Sequence, residues 1–214
     1  MLTVSLPGLL EPEPKPDDAV RNRILDAAYA YLVDFGIRHL NVEEVARRAR
    51  VARITVYRRF ASKDDLLWAV LAREGRRLFA SVDAAIDRLP SSEDQLVEGF
   101  TVTLATARAH PLVQRTLSTE PEMLASVLLA HGSPVIALAR TYLAGRIREG
   151  QRAGELRGFD PDGVAELAVR LSLSFLLHPE SSIALDDDDD ARAFARAYLL
   201  PAFATLARSR KDDA

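Results

Sequence analysis

The twenty residues NVEEVARRARVARITVYRRF, Asn41 to Phe60, leave the backbone few choices. Val42, Val45, Ala46 and Ala49 recur at steps of three and four, the period that puts side chains on one face of an α-helix. Asn41 can cap that helix, because its side-chain oxygen accepts N–H groups that have no partner in a first turn. Glu43 and Glu44 suit the positive end of the helix dipole. The helix is expected to end near Arg50. Val56 and Phe60, four apart, then share one face of a second short helix, predicted over Ala52 to Phe60. Two helices joined by a tight turn are the predicted pattern. With Val51, Val56 and Phe60 turned inward, the N-terminal half and outer face of the second helix carry Arg53, Ile54, Thr55, Tyr57, Arg58 and Arg59.

Those side chains suit a DNA groove. Arginine reads guanine edges or clamps phosphate, threonine meets a thymine methyl or a phosphate, and a tyrosine hydroxyl donates to phosphate oxygen. Ile54 has two readings at this stage, contact with a thymine methyl or packing within the domain. Lys63 adds a cation in the first turn of the next helix, where backbone N–H groups already favour anions. The charge distribution agrees. The chain has a net charge of −3, yet Asn41 to Lys63 carries seven cationic side chains against Glu43 and Glu44, a local +5 that leaves −8 for the rest. A basic segment on an acidic chain is the electrostatic footprint expected for a phosphate backbone.

Upstream, EPEPKPDD is a proline-interrupted acidic lead-in, expected to be extended. From Asp18, the residues Val20, Ile24, Ala27, Ala28, Tyr31, Leu32 and Phe35 predict an amphipathic helix that Gly36 stops. At 48% hydrophobic and 28% charged residues, the 214-residue chain can bury a core. It has no cysteine, which excludes disulfides and thiolate metal sites. No stretch approaches the roughly 20 apolar residues of a membrane span, and no leader is recognisable, so the cytoplasm is the expected compartment.

The segment NVEEVARRARVARITVYRRFASKDDLL resembles the helix-turn-helix of the TetR (tetracycline repressor) family of bacterial transcriptional regulators. The similarity runs from about Ala19 to Leu67 and includes the glycine after the first helix, the polar cap, the VYRRF core and SKDDLL. It implies an all-α protein: an N-terminal arm over 1–16, a three-helix DNA-binding domain over 17–63, and a helical effector-binding and dimerisation domain over 64–214. It also implies a homodimer on a double-stranded DNA operator. By motif position Thr55, Tyr57, Arg59 and Lys63 fall on DNA-contacting positions, and Arg53 near the base-reading end; Arg58 joins them from the face described above. Three residues depart from the pattern. Arg50 stands where the turn most often has glycine, Ala52 where a serine usually caps the recognition helix, and Ile54 where glycine is frequent. Arginine is then expected to take an unfavourable turn conformation, and the missing cap to cost about 1 kcal/mol.

Beyond Leu66 no β pattern appears. Helices are predicted from Lys63 to about Arg88, from a Ser92 cap to His110, from Pro111, from Glu120 and Pro121, and from Ser133 and Pro134 to near Gly150. The resemblance places an effector cavity among these, for which Phe79, Phe100, Thr103, Leu104, Met123, Val127 and Tyr142 are the candidate lining. That mixture suits a hydrophobic small molecule better than a charged metabolite. Two late segments, DPDGVAELAVRLSLSFLL and ARAFARAYLLPAFATLARS, carry broad apolar faces. In the family the last two long helices form the dimer contact, which assigns Val164, Leu167, Leu171, Phe175, Phe194, Tyr198 and Phe203 to it. Pro201 is expected to bend the last helix.

The run Asp186 to Asp190 precedes a helix and is read as its solvated, dipole-favoured start, since adjacent aspartates point apart rather than converging on a cation. His39, His110, His131 and His178 lack the paired spacing of a helical metal site, so no metal and no cofactor is expected. No phosphate loop, GxSxG elbow or carboxylate pair marks an enzyme. The reading is a dimeric DNA-binding regulator, a repressor released by a hydrophobic effector. A regulator controlled by a protein partner, or a helical enzyme with a fortuitous basic segment, are the alternatives.

Overall fold

A computed structural model describes residues 19–122, 134–156, 159–177, 182–183, 185 and 187–201. Every regular element among them is helical. The described residues fall into two compact units. One holds those up to Gly75 and those from His110 to Leu138, and the other holds Arg76 to Ala109 and those from Ala139 onward.

The first unit is built on α1 (Ala19–Phe35), α2 (Val42–Arg48), α3 (Arg53–Tyr57) and the start of α4 (Lys63–Ile86), with α6 (Pro111–Thr119) against α1. Its core joins Ile24, Ala28 and Leu32 of α1 to Val45 of α2, Val56 and Phe60 at α3, Leu66 and Val70 of α4 and Leu112 of α6. The core therefore extends past residue 63, where the sequence suggested that the DNA-binding domain ends. A helix-turn-helix this small cannot bury its apolar faces alone, and α4 and α6 complete the cover.

Local chemistry sets the helix ends. Asn41 Oδ1 accepts from the backbone N–H groups of Glu43 and Glu44 at 2.9 and 3.3 Å, as predicted. At the other end of α2, the N–H of Arg50 donates to Arg47 O and that of Val51 to Ala46 O, the paired bonds of a helix terminated by a left-handed residue. That residue is Arg50, with φ 54°, so the arginine does accept the strained conformation glycine would take freely. Ala52 offers α3 no side-chain cap. Ser62 caps α4, accepting from Asp65 N at 3.0 Å and donating to the Asp65 carboxylate at 2.9 Å.

One long-range contact in this unit carries no local sequence signal. The chain leaves α1 through Gly36, with φ 88°, and the N–H groups of Ile37 and Arg38 point at Glu120, just past α6. Glu120 Oε2 accepts from them at 3.0 and 3.3 Å and is buried. The helix expected from Glu120 and Pro121 begins at Pro121 in its described part, and Glu120 just ahead of it is a buried carboxylate that holds the loop between α1 and α2.

In the second unit, α5 (Ser92–Ala109), the later part of α7 (Pro134–Arg152), α8 (Pro161–Leu177) and α9 (Asp188–Phe194) enclose a core of Val97, Phe100, Leu104, Ala144, Ile147, Val164, Ala165, Ala168 and Phe194. Ser91, not Ser92, caps α5, accepting from Asp94 N at 3.1 Å. Ser92 is turned to Glu155, which its hydroxyl and its backbone N–H both contact. Asp187 caps α9, its carboxylate accepting from Asp189 N and Asp190 N at 2.9 Å each. The aspartate run is thus a helix start in its described part; Asp186 lies outside the described residues. After Phe194 the helix widens into a π-helical turn, Ala195–Leu199, closed by a bond from Leu200 N–H to Ala195 O, directly ahead of Pro201. Asp18, His131, His178 and the arm over 1–16 lie outside the described residues.

Candidate nucleic-acid interface

Two anchors orient α3. Val56 is 1% exposed and Phe60 is 4% exposed, both in the first core. Helical geometry then turns the opposite side outward, and Arg53, Ile54, Tyr57, Arg58, Arg59 and Lys63 are all exposed, with Thr55 half-buried. Every DNA-contacting residue predicted from the sequence therefore lies on α3 or its flanks, and all but Thr55 face solvent. Ile54 is 66% exposed, which removes the alternative that it packs within the domain.

Side chains around this face hold part of it in place. The Arg53 guanidinium contacts the Glu43 carboxylate and lies 5.5 Å from the centre of the Tyr57 ring. Glu43 therefore does more than suit the helix dipole; it orients the arginine nearest the start of α3. Sequence spacing hid this role, because the two residues lie on different helices. Lys63 Nζ donates to the backbone oxygen of Arg38 at 3.4 Å, beside the loop that Glu120 holds. Arg47 and Arg48 pair with Glu44 and Asp34 at 2.8 and 2.7 Å. Surface ion pairs of this kind each contribute only about 0 to 1 kcal/mol. The surface offers four cations, a phenol, a hydroxyl and an apolar side chain.

The residues assigned to an effector cavity separate. Phe100 and Leu104 are 8% and 2% exposed in the second core, so ordinary packing accounts for both. The Thr103 hydroxyl donates to Gly99 O in its own helix at 2.6 Å. Phe79 and Tyr142 do come together, stacked with ring centres 4.2 Å apart and planes 7° from parallel. The Tyr142 hydroxyl donates to Asp83 at 2.5 Å; burial, and then this bond, push its ionisation far above the ordinary tyrosine range, so it remains a donor. Met123 and Val127 lie outside the described residues.

The dimer assignment mixed two faces of α8. Val164 is 2% exposed and Phe194 is 9% exposed inside the core of a single chain, which leaves them no surface for a partner. Phe175 packs edge-on against Phe194 at 5.2 Å, and Leu171 is partly buried against the same core. Leu167 and Tyr198, at 38% and 65%, remain exposed. Phe203 lies outside the described residues. The reason is that α8 is apolar on nearly all sides, so a stripe drawn at helical spacing does not tell inward from outward.

Residues 24–70 match the family model described as bacterial regulatory proteins, tetR family, and residues 92–197 match that of the bacterial tetracyclin repressor, C-terminal domain. The chain is 28% identical over 180 residues to the HTH-type transcriptional regulator AlkX of Mycobacterium tuberculosis, covering 83% of this chain and 82% of that one. Against the HTH-type transcriptional repressor KstR of Mycolicibacterium smegmatis it is 45% identical over 65 residues, 30% of this chain and 32% of the other. The crystal structure of the TetR family repressor AlkX from a Dietzia strain, implicated in biodegradation of n-alkanes, superposes with a TM-score of 0.64 at 22% identity, covering 86% of this chain and 98% of that one. That likeness speaks for the fold. No helix among the described residues is long and apolar enough to cross a membrane. With both halves matched, and with the outward basic face on the second helix of a helix-turn-helix, the chain belongs to the TetR family of bacterial transcriptional regulators.

Proposed function

We propose that this regulator works as a homodimer that represses by binding double-stranded operator DNA through α3 and the start of α4, and that a hydrophobic small molecule releases it. The observation that carries the reading is the exposure of Arg53, Ile54, Tyr57, Arg58, Arg59 and Lys63 around an element whose other side is sunk in the first core. None of those exposed side chains belongs to the first core, and their chemistry is that of phosphate and base-edge contact. Repression is the sense carried by the name of KstR, a relative 45% identical to this chain over 65 residues. A hydrophobic effector is supported by the stacked Phe79 and Tyr142 rings beside the Asp83 carboxylate, a setting for an apolar body with one polar group. Exposed Leu167 and Tyr198 support self-association, since a lone chain gains nothing from leaving them wet.

Release follows from linkage. An effector that binds the DNA-free protein more tightly lowers operator affinity by the ratio of its two affinities, and operator weakens the effector by the same factor. The test is binding of purified protein to duplex fragments from around its own gene at several salt concentrations. Each neutralised phosphate contributes a slope of roughly −0.9 in log K against log salt, so a dimer using three or four cations per subunit should show a slope of about −5 or steeper. Salt-independent binding would overturn the DNA reading. A panel of apolar and aromatic small molecules, titrated with and without operator, tests control. A ligand with equal affinity in both conditions is not the releasing effector, and a panel with none that differ favours a protein partner.

A further inference from the structure

Phosphate attraction explains the cations around α3; it does not explain Ile54. A single exposed isoleucine is ordinary on a protein surface, but this one breaks local rules. A β-branched side chain loses rotamer freedom in a helix, and α3 is a five-residue helix that begins on Ala52 without a side-chain cap. Both choices weaken the element, and the folded chain gains nothing in return, because Ile54 is 66% exposed and absent from the first core. Local rules broken without gain to the fold mark a functional position.

Position and surroundings say which function. Ile54 stands second in α3, at the end of a recognition helix that meets base edges. Arg53, Tyr57 and Arg58 flank it, and all three suit the phosphate backbone or guanine on either side. An apolar side chain pressed against a polar base edge would leave that edge's hydrogen-bonding groups dry and unpaired, which is costly. The major groove presents one apolar group, the C5 methyl of thymine. We propose that Ile54 is a specificity-determining residue that reads a thymine methyl in each operator half-site, by contact and exclusion of water rather than by a hydrogen bond. The proposal rests on the DNA-binding reading above.

The experiment changes one methyl group on the DNA. An operator duplex is recovered from a randomised pool with the full-length protein, and each thymine is replaced in turn by deoxyuridine, which lacks only that methyl. The expected result is one thymine per half-site whose replacement weakens binding about fourfold, or about fifteenfold when its symmetry mate is replaced too. Fourfold corresponds to ~0.8 kcal/mol at roughly 1.4 kcal/mol per tenfold, about the transfer free energy of one buried methylene. Ile54→Ala should bind the thymine duplex as weakly as the wild-type protein binds the deoxyuridine duplex, and should not distinguish the two. Alanine favours the helix, so a folding defect would not mimic this outcome. Wild-type protein indifferent to every replacement, or Ile54→Ala retaining the full discrimination, overturns the proposal while leaving DNA binding intact. A protein that selects no duplex at all overturns the DNA-binding reading itself.

Discussion

Replacing Glu120 with alanine removes an acceptor from two backbone N–H groups, one of them on Ile37, which is 4% exposed. A buried donor left without a partner costs about 1 to 3 kcal/mol, and a bond to a charged acceptor contributes about 1.5 to 3 kcal/mol; the two describe overlapping losses, so about 2 to 3 kcal/mol is expected. Glu120→Gln retains an acceptor oxygen and should lose no more than about 1 kcal/mol. Gly36 supplies a second handle. Its φ of 88° strains any other residue by about 1 to 2 kcal/mol, and a Cβ there would collide with the Glu120 carboxylate. Gly36→Ala should therefore lose strain and carboxylate together in the wild-type background, about 3 to 5 kcal/mol, but strain alone in Glu120→Ala. The double mutant should be less destabilised than the sum by about 2 kcal/mol. Urea unfolding measures the totals, and hydrogen exchange at the Ile37 amide reports the local opening. Additivity within roughly 0.5 kcal/mol, or an Ile37 amide still protected in Glu120→Ala, would refute the reasoning.

Arg50→Gly should raise the melting temperature, because relief of about 1 to 2 kcal/mol at φ 54° exceeds the roughly 0.5 to 1 kcal/mol of extra freedom glycine has when unfolded. Tyr57→Phe and Lys63→Ala should weaken binding to all duplexes alike, and Lys63→Ala should reduce the salt slope by about 1 per subunit, whereas Arg53→Ala should also alter base preference in a selection. Leu167→Glu combined with Tyr198→Glu should sediment as a monomer at micromolar concentration; a persistent dimer would move the interface elsewhere. The Arg192 guanidinium, hydrogen-bonded at 2.8 Å, holds the Glu98 carboxyl below its usual range, so its contribution to stability is complete above about pH 4.5 and is lost as pH falls through the depressed value. Glu98→Gln should flatten that acid limb in a series of melting curves.

The DNA-binding half was legible because short-range rules decide it. Val56 and Phe60 lie four apart and Asn41 precedes an acidic first turn, each visible within seven residues, while the strained turn at Arg50 was announced by the resemblance, whose pattern has glycine there. The second half was less legible for a physical reason. Phe100 in a core and Phe100 lining a cavity present the same spacing, and α8 is apolar on too many sides for its inward face to be chosen from period alone. Ser91 and Ser92 are equal candidates for a cap until Glu155, 63 residues away, claims the second. Glu120 acts on the backbone 83 residues upstream, and no local pattern records such a contact.

The widened turn Ala195–Leu199 bears on which changes of length the last described helix can tolerate. It holds one residue more than the same turn of an α-helix would. Inserted into a regular helix, one residue would rotate everything beyond it by about 100°, carrying inward side chains off the core. Here the offset is confined to a single turn, and Phe194, Ala195 and Leu199 all remain buried. Deleting one of the exposed residues Arg196 or Ala197 should thus convert the turn to ordinary α-helix without disturbing what lies before it, a loss that most buried helices cannot absorb. Any relative with a regular helix at this place corresponds to this chain only through a one-residue gap.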